Sequence, residues 1–257
     1  MSNKTRHFII PDVQAKYGQD FTFLRKIGEY IVDKQPDVVI CIGDFADMES
    51  LSSYDVGTKT FEGKRYVKDI EAAHVAMATL LHPLIQFNNR QRENHKKLYQ
   101  PRMVLTLGNH EERINRAVNS DPKLDGVLSI SDLRYEQWGW EVHPFLDVVV
   151  IDGVAYSHYF TSGLLGRPVA SAAACLSKKH QSCVQGHQQG FQCATGHRAD
   201  GTRLTAIIAG SCYEHEESYL GPQGNKHWRG ALMLHEVDNG EFDMMPLSLS
   251  YLKSRNK

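Results

Sequence analysis

The sequence predicts a mixed α/β fold, part α/β and part α+β, in which two β-sheets pack face to face as a sandwich flanked by helices. Two observations predict it. In the N-terminal half, short apolar runs alternate with segments of helical spacing, the pattern of βαβ units carrying a parallel sheet. In the C-terminal half the texture changes to short strand-like runs with hairpin turns and few helices, which predicts antiparallel pairing.

Taken in order, His7 to Pro11 (HFIIP) is a short apolar run that stops at Asp12, a buried strand ending in a polar loop. Asp20 to Gln35 follows with Phe23, Leu24, Ile27, Tyr30 and Ile31 at helical spacing. Asp37 to Ile42 (DVVICI) is a second buried strand, closed by Gly43-Asp44. Ser52 to Gly63 reads as a loop. Arg65 to Asn89 places Val67, Ile70, Ala73, Met77, Leu80, Leu81 and Leu84 on one helical face, with Pro83 expected to kink or split the helix. Met103 to Leu107 (MVLTL) is a third apolar strand and ends in Gly-Asn-His. Residues 112–140 read as helix and loop. Strand-like runs then follow at Val148–Ile151, Val154–Ser157, Ser182–Gln185, Leu204–Ala209, Ala231–Glu236 and Glu241–Pro246. Asp152-Gly153 and Asn239-Gly240 are hairpin signals.

A chain of 257 residues suits one large domain, 1–257, rather than two independent ones. The segment around 48–100 is long for a connection and is expected to form a mainly helical insertion or cap. A formal net charge of −1 gives no global basic field for a polyanion. The charged patch Arg90, Arg92, Lys96 and Lys97 reads as a solvent-facing helix surface. Five cysteines, an odd number with no CxxC pair, argue against a disulfide framework or structural zinc and for reduced thiols. The opening MSNKTRHFII lacks the apolar core of a secretory signal, and no run of about 18 apolar residues occurs. The expectation is a cytoplasmic protein without a membrane partner.

The chemistry is carried by the ends of the inferred strands. Asp12 with Gln14, Asp44 with Asp47, and Asn109 with His110 and Glu111 each follow an apolar run. In a parallel sheet, loops beyond the carboxyl ends of the strands meet in one crevice, so these groups are expected to converge. Two later β segments end in His158 (AYSHY) and His187 (VQGHQQG). Carboxylate, amide and imidazole donors together suit hard to borderline divalent cations. A lone Gly-Asp or Gly-Asn-His is more often a turn; it is the order of five such motifs that points to a metal centre.

That order, D-x-[H]…G-D-x-x-D…G-N-H-E…H…G-H-x-[H], resembles the signature of the calcineurin-like metallophosphoesterases from Asp12 to Gln189. The opening IPDVQ and the segment SLSSYDVGTKTFEGKRY are similar to phage-encoded members of phosphatase or DNA-repair exonuclease-like type. The resemblance implies a four-layer architecture and two divalent metal ions. Asp44 would bridge both, with Asn109, His158 and His187 on one ion and Asp12 on the other. The second ion's remaining positions, histidine in many members, are Gln14 and Gln189 here. Amide oxygens tilt that site toward manganese or magnesium and away from zinc or iron.

In the mechanism the resemblance implies, two cations about 3.5–4 Å apart supply a hydroxide and neutralise phosphate oxygens. His110 would protonate the leaving alkoxide and Asp47 would orient it, although Asp47 also reads as a helix N-cap. Glu111 is expected to support the fold rather than bind metal. Arg113 would hold a substrate phosphate or lie on a helix surface. His215 reads as a solvated loop residue. Trp228 and Arg229 read as a cap on the last sheet, with stacking on a nucleobase as the alternative.

The expected function is hydrolysis of a phosphate ester. Phosphodiesterase or nuclease-like activity on nucleic acid or a nucleotide is placed slightly ahead of monoester phosphatase activity on a protein or small molecule. A non-catalytic binding module with a degenerate metal site is the third reading; it rests on Gln14 and Gln189. If the chain is phage-encoded, as the resemblance suggests, the compartment is the host cytoplasm.

Overall fold

The computed structural model describes residues 4–54, 57–217 and 220–255. The N-terminal part runs β1 (Thr5–Ile10), α1 (Thr22–Lys34), β2 (Val38–Cys41), α2 (Tyr66–Glu93), β3 (Arg102–Thr106), α3 (Glu112–Ser120) and β4 (Glu141–His143). It continues through β5 (Val149–Ile151), β6 (Val154–Ser157), β7 (Thr161–Ser162), β8 (Arg167–Pro168), α4 (Ala172–Lys179), β9 (Cys183–Gln185) and β10 (Gln192–His197). It ends with β11 (Arg203–Ile208), α5 (Gly221–Gly224), β12 (Gly230–Asp238), β13 (Glu241–Ser248) and α6 (Leu249–Ser254).

A six-stranded sheet has the order β13-β12-β1-β2-β3-β4, and a five-stranded sheet the order β10-β11-β9-β6-β5. Strands β1 to β4 are mutually parallel. Their apolar runs are unbroken because both faces are covered. Ile9, Ile40, Ile42 and Val104 point inward and meet Ile151, Val154, Tyr156, Val184 and Ile207 of the second sheet. Phe8, Ile10, Val39, Cys41 and Leu105 point outward and pack with Leu24 and Ile27 of α1 and Ala73, Ala76 and Leu80 of α2. On the far side, Ala155, Cys183, Ala206 and Ile208 of the second sheet lie against Ala172 and Cys175 of α4. The result is an α/β sandwich in four layers.

Both hairpin dipeptides form turns with two consecutive left-handed residues, Asp152 (φ 49°) with Gly153 (φ 85°) and Asn239 (φ 50°) with Gly240 (φ 87°). The turns also pack together: the Gly240 amide donates to the Asp152 carbonyl at 2.8 Å, and a Cβ on Gly153 would fall 2.4 Å from the Gly240 nitrogen.

Three expectations need correction. The second sheet is not simply antiparallel, because β9 runs parallel to both β6 and β11. The crossover through α4 returns the chain in the same direction. The helix containing Pro83 is continuous over 28 residues. It is held along α1 at Gly28, where an added Cβ would lie 2.1 Å from the Leu80 carbonyl oxygen. Strands β4, β7, β8 and β10 also occur where no strand was expected.

Of the segment 48–100, α2 is an integral layer helix with Ala72, Ala73, Ala76 and Leu80 buried, while the stretch before it borders the site. Four of the five cysteines are buried, Cys193 is exposed, and all are free thiols. Residues Arg90, Arg92, Lys96 and Lys97 are exposed. Among the described residues no helix is long and apolar enough to cross a membrane.

Candidate metal centre

Parallel strands β1, β2 and β3 release their chains at one edge of the sandwich, and parallel strands β6 and β9 do the same from the other sheet. The loops after β1 and β2 are zipped to each other, with Gln14 and Ala15 amides donating to the Asp44 and Phe45 carbonyls at 2.8 Å each. Gln14 (φ 46°), Asp44 (φ 48°) and His187 (φ 66°) all hold left-handed backbone conformations without being glycine. Such conformations cost about 1–3 kcal/mol each and cluster where side chains are aimed for a purpose.

Glu111 fixes the crossing of these loops. Its Oε2 accepts the amides of Asp44 (3.0 Å) and Gly108 (2.9 Å), and its Oε1 accepts that of Ala46 (2.9 Å). Burial, then the neighbouring Asp44 charge, pushes its pKa up. Glycine at 108 and 186 lets the loops close: an added Cβ would lie 2.1 Å from Oδ1 of Asp44 and 2.4 Å from Oδ1 of Asp12, respectively.

Asp44, His158 and His187 present ligand atoms that all lie within 4.8 Å of one another. Asn109 joins them, its Oδ1 standing 2.9 Å from Nε2 of His158 and 2.7 Å from Nδ1 of His187. The Nδ1–H of His158 donates to the Ile42 carbonyl at 2.9 Å. That bond leaves Nε2 as the nitrogen facing Asp44 at 3.4 Å, the tautomer a metal ligand requires.

Asp12 sits beside this group, and both its oxygens are 3.1 Å from the His187 amide. Gln14 is buried, and its Oε1 has no hydrogen-bond partner. A buried amide oxygen without a partner, two residues from the buried Asp12, is a donor a cation would satisfy. Gln189 is engaged differently, its Oε1 accepting the Tyr213 hydroxyl at 2.9 Å. The donor set at Asp44, Asn109, His158 and His187 therefore fits a divalent ion.

The electrostatics agree with the geometry. Burial raises the Asp12 carboxyl to about 7, with Asp44 adding to the rise. Burial also pushes Asp44 up, but the His110 and His158 imidazoles outweigh it and hold the carboxyl well below its usual range. Burial would lower His158, yet Asp44 and Asp12 raise it to about 9. His187 is lowered to about 4 by burial and by His158. Buried groups with opposed shifts around one point are where a cation would compete with protons.

His110 also stands against Asp44, with Nε2 3.6 Å from Oδ2. Its amide donates to Asp44 Oδ1 at 2.9 Å, and its Nδ1 pairs with Asp47 Oδ1 at 2.7 Å. Asp47 is not an N-cap: the cap position is Met48, and no side-chain capping bond forms. Arg113 is not a free surface residue. Its guanidinium donates to the Asp47 carbonyl at 2.8 Å and lies 3.2 Å from His110 Nε2.

His215 is packed rather than solvated, stacked on Tyr213 with centroids 4.3 Å apart and paired to Glu217 at 2.8 Å. Trp228 packs on Phe191, and Arg229 lies over the Tyr213 ring. Lys16, Glu217, Phe145, Arg116 and Tyr159 were not singled out in the sequence. Lys16 follows Gln14 by two residues and Tyr159 adjoins His158, so proximity to the motifs was the available signal.

No family model matches the sequence, and no curated protein does. A search of solved structures returns a crystal structure that is 10% identical, covers 95% of this chain and 99% of that one, and has a TM-score of 0.43. It also returns the crystal structure of TT1561 of Thermus thermophilus, 7% identical with the same coverage and a TM-score of 0.37. Likeness at this level carries no argument about function, and the site geometry has to stand alone.

Proposed function

We propose that the chain is a metal-dependent phosphoesterase of the calcineurin-like type, with manganese as the expected ion. One observation carries the reading. Around Asp44 stand both the His158, His187 and Asn109 donors and the hydrogen-bonded His110–Asp47 pair, with His110 Nε2 3.6 Å from Asp44 Oδ2. A binding module needs the first group only; a positioned acid is needed when an alkoxide leaves.

Divalent cations held by Asp44, Asn109, His158, His187, Asp12 and Gln14 would acidify a water and neutralise charge on the phosphate. Burial lowers the His110 pKa, but Asp44 and Asp47 outweigh it and raise it, which favours the protonated imidazole an acid needs. Asp47, itself held low by His110, Lys16 and Arg113 against its burial, keeps the ring oriented. Arg113 stands beside His110 Nε2 and marks where the leaving oxygen would lie.

The test is a manganese titration with a generic bis-ester and a generic mono-ester. Turnover of either supports the reading. No turnover of either at full metal occupancy would leave a binding module. His110→Ala is expected to lower turnover by about 10²–10⁴-fold with metal still bound, the usual contribution of a general acid.

A further inference from the structure

Two cavities meet at the metal centre. The larger, about 840 Å³, passes His110 toward Lys16, Tyr17, Arg65 and Lys68. The other, about 560 Å³, passes His187 toward Phe145, Tyr159 and Arg116. Tyr54, Asn109, Arg113 and His187 line both. A phosphate seated between Asn109 and Arg113 therefore has space on two sides. A monoester carries one substituent on phosphorus and would use one cavity; a diester carries two.

We propose that this cleft binds single-stranded nucleic acid, with one internucleotide phosphate at the metal centre, a nucleoside in each cavity, and a base stacked on Tyr159. The walls carry the chemistry for it. Tyr159 and Phe145 form an edge-to-face pair with centroids 5.5 Å apart, and the Tyr159 ring stands 4.7 Å from that of His187. Both rings are half-buried and line the smaller cavity. Tyr54, at the junction, is 88% exposed, and Tyr17, in the larger cavity, is 51% exposed with the Lys68 ammonium 4.9 Å from its ring centroid.

Charge in the larger cavity is mixed, and Asp47, Glu49 and Glu217, three of the six acidic residues that line it, share Lys16. Neither Arg65 nor Lys68 makes an ion pair among the described residues, and both line that cavity. In the smaller one, Arg116 is anchored through Nη2 to the Asn109 carbonyl at 2.7 Å. Duplex is disfavoured, because paired bases hide their faces and a net charge of −1 gives no long-range pull on a dense polyanion.

This inference rests on the phosphoesterase reading for the seat of the phosphate, but stacking does not require turnover. The test is fluorescence anisotropy of a short labelled oligothymidylate on manganese-loaded His110→Ala protein, compared with an abasic strand of the same length and with a duplex. The base-bearing strand is expected to bind at least about tenfold more tightly than either, the scale of one base–aromatic stack. Tyr159→Ala on the same background is expected to erase that difference, and Tyr159→Phe, which keeps the ring, to retain it. Equal binding of the abasic strand or the duplex would overturn the inference, as would an unaffected Tyr159→Ala protein. Hydrolysis of bis(4-nitrophenyl) phosphate or of 4-nitrophenyl phosphate by the unsubstituted protein separates the two claims. Turnover without a preference for bases overturns the strand inference alone, and the preference without turnover overturns the esterase reading alone.

Discussion

The Lys16 ammonium stands 3.0 Å from Oδ2 of Asp47, the carboxylate oxygen that His110 does not use. Asp47 is thus shared between a permanent cation and the imidazole, and the Asp47 anion and the Lys16 cation pull the His110 proton in opposite directions. On the proposed reading His110 is an acid that acts when protonated, so the rate is expected to fall as pH rises through its pKa. Asp47→Asn removes an anion that holds the proton, and the falling limb of the pH–rate profile is expected to move to lower pH. Lys16→Met removes a cation, and the limb is expected to move to higher pH. Profiles that shift in the same direction for both variants would contradict the arrangement.

Gln14 offers a buried oxygen with no partner at a left-handed backbone position that histidine also tolerates. Gln14→His is therefore expected to keep the fold and to raise affinity for zinc relative to magnesium, since imidazole is the softer donor. Competitive metal titration followed by calorimetry checks this; an unchanged ratio would place Gln14 outside the coordination sphere.

Glu111 satisfies three buried backbone amides from two different loops. Glu111→Ala leaves those donors unpaired, at about 1–3 kcal/mol each. The expected outcome is a large fall in the urea midpoint together with weakened metal binding, because Asp44 loses its backbone anchor. A variant with normal stability but lost metal would instead mark Glu111 as a ligand.

His7 lies far from this edge, fully buried, with Nδ1 2.7 Å from the Tyr156 hydroxyl and Nε2 2.9 Å from Asp152. Burial lowers its pKa, and Asp152 only partly compensates. Between the lowered native value and the unfolded value of about 6.5, the unfolded chain binds the extra proton, so stability falls as pH drops below about 6.5. His7→Gln is expected to flatten that slope in denaturant titrations across the window.

How much of this was legible in the sequence depends on which physical signal each residue carries. The strands β1, β2 and β3 were legible because coverage on both faces leaves unbroken apolar runs. Asp12, Asp44 and Asn109 followed because parallel strands release their loops at one edge. The direction of β9 was not legible: Ser182 to Gln185 has the same composition whichever way it pairs, and only the crossover through α4 decides. Lys16 reads as an ordinary solvated lysine until the loops carrying Asp47 and Glu217 fold over it. His215 sits among Glu214, Glu216 and Glu217, which suggests solvent, but it stacks on Tyr213. Pro83 reads as a break, yet packing of α2 on α1 keeps the helix whole.

The donors described above come from both leaves of the sandwich: Asp12, Asp44 and Asn109 from the six-stranded sheet, His158 and His187 from the five-stranded one. An ion seated among them would act as a clasp, adding to the apolar contact and the few hydrogen bonds, such as His7–Tyr156, that join the leaves. Occupancy should thus raise resistance to unfolding of the whole molecule, by about 2.7 kcal/mol when free metal is a hundredfold above its dissociation constant. Stripping the ion with a chelator should loosen that rim first, so amide exchange would quicken at Asp44 and His187 before it does at the opposite rim, where the two glycine turns touch.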